Sequence, residues 1–288
     1  MEKVTVPDLS EKKRRGEKIT MLTAYDVPMA RLLDEAGVDL VLVGDSLGMV
    51  ILGYPSTVPV TMEEMLHHAK AVRRGISRAL VVGDMPFMSF NLYHEETVRN
   101  AGRFLKEAGC DAVKVEGGQG SPESLEAVRA IVEAGIPVLG HLGLTPQTAG
   151  KLGGFKVQAR RAEEAVRVVE AAQELQEAGC FGLVLECVPA QVGEEITRRL
   201  SIPTIGIGAG PHCDGQVLVT HDLLNFSGAF HPPKFVRRFA DLNQVILKAV
   251  KEFGQAVADG RFPSDEESYS MPPEEWARFE PMIRHKDS

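Results

Sequence analysis

A chain of 288 residues is long for one average domain but ordinary for a single α/β barrel. Hydrophobic residues make up 44% of it and charged residues 25%, which is the balance of a protein that folds in water. The formal net charge of −8, from 32 basic and 40 acidic residues, argues against nucleic-acid binding. No stretch predicts a membrane span, and the first residues lack the apolar core of a secretory signal.

The four cysteines are scattered without C-x-x-C spacing: Cys110, Cys180, Cys187 and Cys213. This pattern favours reduced thiols over a disulfide framework or a zinc site, so we expect a cytoplasmic protein. Near the amino terminus, the basic run of residues 12–15 is followed by Glu17. We interpret it as a solvated lead-in to the first strand.

Eight short runs have strand-like character: Ile19–Asp26, Asp39–Ser46, Ala79–Pro86, Ala112–Gly117, Pro137–Gly143, Phe181–Val188, Pro203–Gly210 and Gln216–Leu223. Segments with helical spacing lie between most of them. The clearest predicted helices are Met62 to about Arg74, Glu95–Ala108, Ser121–Ala134, Arg160–Ala178 and Pro233–Ala258.

The tripeptide Glu-Ala-Gly recurs four times, each time after a helical segment and before a strand. Glycine in that place suits a left-handed turn out of a helix. Alternating strands and helices predict a parallel sheet with right-handed crossovers, and eight such units fit a (βα)8 barrel. An open, doubly wound sheet is the alternative. We expect one barrel domain over residues 1–264 and a Pro- and acid-rich tail over 265–288.

The stretch from Asp39 to Thr61 combines a buried strand with a long loop rich in glycine and proline. The strand is followed by Asp45 and Ser46, and Thr61 with Glu64 forms a capping box that predicts the next helix. A carboxylate at the carboxyl end of a buried parallel strand lies where α/β folds carry their chemistry.

Polar side chains recur at the ends of five consecutive predicted strands: Asp45, Ser46, Asp84, Lys114, Glu116, His141 and Glu186. One acid at such a place could simply cap the next helix. Four carboxylates that converge on one barrel mouth would repel each other unless a cation neutralised them. Because all the candidate ligands are oxygen atoms, we expect Mg²⁺ rather than zinc.

Seven segments carry a resemblance to a known family: MLTAYD (21–26), LVLVGDSLGMVILGY (40–54), VPVTMEEM (58–65), VVGDMPFMSF (81–90), AVKVEGG (112–118), GHLGLTPQ (140–147) and LVLECVP (183–189). They resemble the 3-methyl-2-oxobutanoate (ketopantoate) hydroxymethyltransferases of pantothenate and coenzyme A biosynthesis. The resemblance extends from about Thr20 to Tyr269.

The resemblance implies a TIM barrel of the phosphoenolpyruvate/pyruvate-type superfamily, assembled as a homodecamer, with one Mg²⁺ per subunit. It implies transfer of a hydroxymethyl group from 5,10-methylenetetrahydrofolate to 3-methyl-2-oxobutanoate through a Mg-stabilised enolate, giving ketopantoate. The family's metal acids match Asp45, Asp84 and Glu116. Its keto-acid contacts match Asp45, Ser46, Asp84 and Lys114, and its general base matches Glu186. His141 is a further candidate for the pocket.

Two other functions stay open at this stage. A lyase or phosphonomutase on the same barrel would need extra cationic groups, but the predicted strand ends carry one lysine and no arginine. A barrel that only binds or scaffolds would have no need to keep every acid at the mouth.

Overall fold

The computed structural model of the protein describes residues 2–117, 122–226 and 232–284. The chain divides into two compact units, Met1–Phe239 and Ala240–Ser288. In the first unit, eight parallel strands pair in chain order and the last pairs with the first, which closes a barrel. The strands are β1 Ile19–Thr23, β2 Leu40–Val43, β3 Leu80–Asp84, β4 Ala112–Glu116, β5 Val138–Gly143, β6 Gly182–Glu186, β7 Thr204–Ile207 and β8 Gly215–Leu218.

Seven of the predicted runs contain one of these strands. The eighth run, Gln216–Leu223, only overlaps β8 and ends in a short helix. The pairing of β1 with β8 confirms the barrel over the open sheet. The helices of this unit are α1 Val6–Arg15, α2 Val27–Glu35, α3 Leu47–Val50, α4 Met62–Gly75, α5 His94–Lys106, α6 Pro122–Glu133, α7 Ala149–Leu152, α8 Ala162–Glu177, α9 Ala190–Arg199 and α10 Thr220–Leu223. The predicted helix start at Ser121 lies outside the described residues.

Two layers of apolar side chains stabilise the barrel. One fills its interior and includes Leu40, Leu80 and Leu139, whereas a larger one lies between the strands and the helices and includes Val81 and Phe104. Neighbouring residues of one strand belong to different layers because successive side chains point to opposite faces. Continuous apolar runs such as Leu40–Val43 are therefore buried on both sides.

The run of residues 12–15 forms the last turn of α1, and its interpretation as a solvated lead-in is wrong for its two lysines but correct for the exposed Arg14 and Arg15. Lys12 contacts the buried Asp39 with 2.7 Å between nitrogen and oxygen, and Lys13 contacts Asp214 at 2.8 Å. The acidic partners of these lysines are distant in sequence, so the local charge pattern could not reveal the ion pairs.

The second unit contains α11 Leu242–Ala258 and α12 Pro273–Arg284. The prediction that the last long helix starts at Pro233 is wrong, since Asp241 caps α11 by accepting a hydrogen bond from the Gln244 backbone N–H at 3.3 Å. The division between the two units falls after Phe239, whereas the sequence suggested residue 264. No described helix is both long enough and apolar enough to cross a membrane.

Candidate active site

The barrel mouth carries a polar layer because the inward-facing rows of four strands end in polar residues. These rows read Leu80–Val82–Asp84, Ala112–Lys114–Glu116, Leu139–His141 and Val184–Glu186. Every second side chain of a strand points into the barrel, so these residues stack in layers inside it. The lower layers are apolar, and the layer at the mouth is charged. The strand register also sets Asp84 opposite Lys114 and Glu116 opposite His141.

Lys114 lies between two of the buried acids. Its Nζ is 2.6 Å from Asp84 Oδ1 and 3.6 Å from Glu116 Oε1, and all three side chains are at most 5% exposed. The carboxylate of Asp84 also accepts a hydrogen bond from the Asp45 backbone N–H at 3.2 Å. The ends of β2, β3 and β4 are therefore joined through charged groups that water does not reach.

His141 connects this cluster to Glu186. Its Nδ1 is 3.4 Å from Glu116 Oε1, and its Nε2 is 3.2 Å from Glu186 Oε2. Glu186 is the most exposed of the three, with 15% of its side chain accessible. The close approach of β5 and β6 requires glycine at position 143, where φ is +97° and a Cβ would lie 2.1 Å from the Glu186 carbonyl oxygen.

Gln147 belongs to the same cluster, although its role was not predicted from the sequence. It lies in the 3₁₀ turn Pro146–Thr148 just after β5, and its side chain is buried. Its Nε2 donates to Asp45 Oδ2 and to the Met85 carbonyl, both at 2.9 Å, and its backbone N–H donates to Glu116 Oε2 at 3.1 Å. The segment GHLGLTPQ gave the only sequence signal, because Gln147 lies beyond the strand end.

Ser46 begins the loop that follows β2 and borders the site from the other side. Its Oγ is 2.8 Å from the hydroxyl of the buried Tyr25, and the Tyr25 carbonyl oxygen is 2.7 Å from Nδ1 of His68 on α4. The predicted capping box is present, with Thr61 and Glu64 bonded reciprocally at the start of α4. Both ends of the long loop are thereby held by hydrogen bonds.

The pKa values of the acids depend on burial and on their distance from Lys114. Burial raises the pKa of Asp45 well above its ordinary value, and the charges of Asp84 and Glu116 raise it further. Burial likewise raises the pKa of Asp84, although Lys114 opposes this shift. Burial would also raise the pKa of Glu116, but its interactions with Lys114 and His141 outweigh burial and lower this pKa. The cluster therefore holds more carboxylate than its own bases neutralise.

The two bases respond in the opposite direction. Burial disfavours the charged form of Lys114, but Asp84 and Glu116 raise its pKa above the ordinary value. Burial also disfavours a charged His141, but Glu116 and Glu186 on either side raise its pKa to about 9. Both groups are consequently cationic at neutral pH.

A cavity of about 210 Å³ opens above this cluster. All seven predicted site residues line it, together with apolar side chains that include Met49, Pro146, Phe155 and Phe235. The volume suits a small organic acid. Within the described part of the chain, no group of three or more His, Cys, Asp or Glu side chains forms a preformed metal cage.

The fold and this mouth define a class of protein, the (βα)8-barrel enzymes with a charged site at the carboxyl ends of the strands. The family model of ketopantoate hydroxymethyltransferase matches residues 3–265. The chain belongs to this family, and it is therefore a transferase that transfers a hydroxymethyl group to 3-methyl-2-oxobutanoate.

Relatives support the assignment over nearly the whole chain. The 3-methyl-2-oxobutanoate hydroxymethyltransferase of Moorella thermoacetica is 56% identical over 93% of this chain and 98% of the relative. The enzyme of the same name from Syntrophomonas wolfei is 53% identical, with 94% of this chain and 97% of the relative covered. The family confirms the resemblance inferred from the sequence segments.

Solved structures with low sequence identity share the fold. Phosphonopyruvate hydrolase, solved in complex with oxalate and Mg²⁺, has a TM-score of 0.60 at 14% identity and covers 99% of this chain and 97% of its own. A 2,3-dimethylmalate lyase of the PEP mutase/isocitrate lyase superfamily has a TM-score of 0.56 at 14% identity, with 98% of both chains covered. These structures confirm the predicted (βα)8 fold.

Proposed function

We propose that the enzyme takes its one-carbon unit from 5,10-methylenetetrahydrofolate and requires Mg²⁺, giving ketopantoate (2-dehydropantoate) through an enolate. The observation that carries the proposal is the buried cluster of acids around Lys114 beneath a small cavity. Water supplies the hydroxyl oxygen of the product, and tetrahydrofolate is released. The pathway implied by this product is pantothenate and coenzyme A biosynthesis.

The donor set suits Mg²⁺. Asp45 and Asp84 both line the cavity, and the pKa of each is raised because Lys114 does not fully offset burial and the neighbouring acids. Glu116 Oε1 is buried without a hydrogen-bond partner among the described residues. Mg²⁺ is usually held by one or two carboxylates, with water and substrate completing the octahedron, so a cage of three acids is not needed. We assign Asp45 and Asp84 as direct ligands and Glu116 as a ligand through water.

When bound, Mg²⁺ supplies a Lewis acid that polarises the keto group of the substrate. Lys114 adds a fixed positive charge beside the developing oxyanion, and its burial makes that charge act more strongly than it would in water. Asp84 holds that lysine in place, and the Ser46 hydroxyl is available to the substrate carboxylate at the cavity wall.

Glu186 is the general base in this proposal and removes the proton from C3 of the keto acid. It lines the cavity, is partly exposed to it, and comes from a strand that carries none of the proposed metal ligands. His141 bridges Glu186 and Glu116, so it orients the base and offsets the negative charge next to it. The carbanion at C3 then attacks the methylene carbon as one of its two C–N bonds to the folate breaks. Water replaces the remaining folate nitrogen, which leaves the hydroxymethyl group on C3 and releases tetrahydrofolate.

We further propose a ring-based homo-oligomer, a decamer by family resemblance, that works in the cytoplasm. Large apolar side chains stay exposed along α11, at Ile246, Val250, Phe253 and Val257. Such a stripe is typical of a helix that packs against another surface. The four free cysteines accord with a reducing compartment.

The proposed function is tested by incubating the protein with Mg²⁺, 3-methyl-2-oxobutanoate and 5,10-methylenetetrahydrofolate. Ketopantoate should form, and EDTA should abolish its formation. Glu186→Gln should form it about 10²–10⁴-fold more slowly, whereas Glu177→Gln, which changes an exposed glutamate at the end of α8, should be as active as the wild type. Product formation without any divalent cation would contradict the proposal. So would an enzyme that uses formaldehyde as its one-carbon donor but not 5,10-methylenetetrahydrofolate.

A further inference from the structure

Gln147 makes contacts that no role assigned so far explains. Its side chain is 4% exposed and contacts the carboxylate of Asp45, and its backbone N–H donates to the carboxylate of Glu116, yet it carries no charge. The two atoms 2.9 Å from its nitrogen are Asp45 Oδ2 and the Met85 carbonyl oxygen. Both are acceptors, so the amide must present its NH₂ group to them, and the orientation of the amide is fixed by its partners.

We propose that Gln147 is a positioning residue that holds Asp45 in the orientation needed to bind the cation; this role rests on the proposed function. One amide hydrogen fixes one oxygen of the Asp45 carboxylate, while the rest of the carboxyl group stays at the cavity wall. The second hydrogen fixes the amide to the backbone immediately after Asp84. The two acids are thereby held at a constant separation.

The chemistry of the position excludes most other side chains. A lysine or arginine would donate to Asp45 but would also repel a divalent cation. A glutamate would place a negative oxygen against two acceptors, and an alanine would leave both acceptors without their donor. A neutral donor long enough to reach Asp45 and Met85 together supports the carboxylate and leaves its charge for the cation.

The turn that carries Gln147 is itself constrained. Pro146 fixes one backbone dihedral, and the hydroxyls of Thr145 and Thr148 are 2.5 Å apart on either side of Gln147. The Gln147 backbone N–H also donates to Glu116. Its side-chain Oε1 is buried and has no hydrogen-bond partner among the described residues, so the contacts of its NH₂ group set the orientation of the amide.

The test uses Mn²⁺ as a probe and measures its dissociation constant by electron paramagnetic resonance with 3-methyl-2-oxobutanoate present. Gln147→Glu and Gln147→Met should each weaken binding about 10–100-fold, the usual scale for groups that orient metal ligands. The constant KM for Mg²⁺ should rise by a similar factor, with a smaller loss in kcat at saturating Mg²⁺. Gln173→Glu, the same change on the outer helix α8, should leave both values unchanged.

Thermal unfolding of the cation-free variants separates positioning from general destabilisation. If Gln147→Glu does not fold, Gln147→Met keeps the length of the side chain without a charge and carries the test. A lower melting temperature with wild-type Mn²⁺ affinity in either folded variant would overturn the role. If the wild type binds no Mn²⁺ in the presence of the keto acid, the proposed function fails, and this positioning role fails with it.

Discussion

At the scale of single residues, the main feature of the site is that its buried carboxylates outnumber the basic side chains that contact them. Lys114 contacts Asp84 at 2.6 Å but is 3.6 Å from Glu116, so it neutralises one carboxylate best. Asp45 receives only the neutral amide of Gln147 and the charge of a more distant lysine. A buried cluster of this kind costs stability, because desolvation of the charges is only partly offset. The cation of the proposed function would offset this cost.

The first prediction concerns Asp84. Replacing Asp84 by asparagine keeps the shape of the side chain but removes the negative charge that faces both Lys114 and the proposed cation. Binding of 3-methyl-2-oxobutanoate in the presence of Mg²⁺, measured by isothermal titration calorimetry, should be lost, while the circular dichroism spectrum stays that of the wild type. The exposed Asp265→Asn serves as the control and should bind normally. Asp84→Asn protein that binds the keto acid normally in EDTA would refute the metal assignment.

Sequence patterns revealed part of this site and missed another part for a physical reason. Asp84, Lys114, Glu116 and Glu186 could be predicted because a strand repeats every two residues and parallel strands end together. Gln147 reaches the cluster through the fold of a loop, which has no such period. Its contacts follow from the shape of one turn, and only the structure shows that shape.

At the scale of elements, α2 is joined to the loop that leads into β3 through a single carboxylate. Asp34 accepts hydrogen bonds from the Ser77 backbone N–H at 2.8 Å, the Ser77 hydroxyl at 2.7 Å and the Ala79 backbone N–H at 2.7 Å, and also from Arg78. Burial alone would raise the pKa of Asp34, but these donors outweigh it and lower the pKa below the ordinary value of 3.8.

The second prediction follows from this connection. Asp34→Asn should lower the free energy of unfolding at pH 7 by about 1–3 kcal/mol, because one acceptor becomes a donor that faces donors. A lowered pKa in the folded state stabilises the protein above pH 3.8, and this contribution is lost as the pH falls through the folded-state value. Urea titrations at fixed protein concentration should therefore show that the wild type and Asp34→Asn differ most in unfolding free energy near pH 7. This difference should become smaller as the pH falls below 3.8.

The neighbouring Glu35→Gln is the matched control for this experiment, since Glu35 is exposed on the same helix. It should change the unfolding free energy by less than about 0.5 kcal/mol at every pH. A difference between Asp34→Asn and the wild type that grows on acidification would contradict the assigned sign.

The element boundaries show which signals are reliable in a single sequence. The capping box at Thr61 and Glu64 predicted the start of α4 correctly, because its two hydrogen bonds are local. The start of the last long helix was wrong because Pro233 and Asp241 are both acceptable helix starts, and the cap at Asp241 is the one used. The helix α12 in the C-terminal segment was missed because charged and proline residues dominate its composition.

At the scale of the whole molecule, the exposed apolar stripe on α11 leads to the third prediction. Light scattering should give a mass far above that of a dimer, whereas a monodisperse mass near the 31.3 kDa of one chain would refute the oligomer. Phe253→Asp places a charge in the stripe and should lower the mass of the assembly. Lys251→Asp, which changes a charge on a different side of the same helix, should leave the mass unchanged.

The most direct test of the central claim is hydrogen exchange at C3 of 3-methyl-2-oxobutanoate in D₂O, followed by proton NMR without folate. In the proposed mechanism proton removal precedes attack on the folate, so wild-type protein with Mg²⁺ should exchange this hydrogen. Glu186→Gln should bind Mg²⁺ and the keto acid normally but exchange about 10²–10⁴-fold more slowly, which is the scale of a lost general base. Exchange by this variant at the wild-type rate would contradict the role of Glu186.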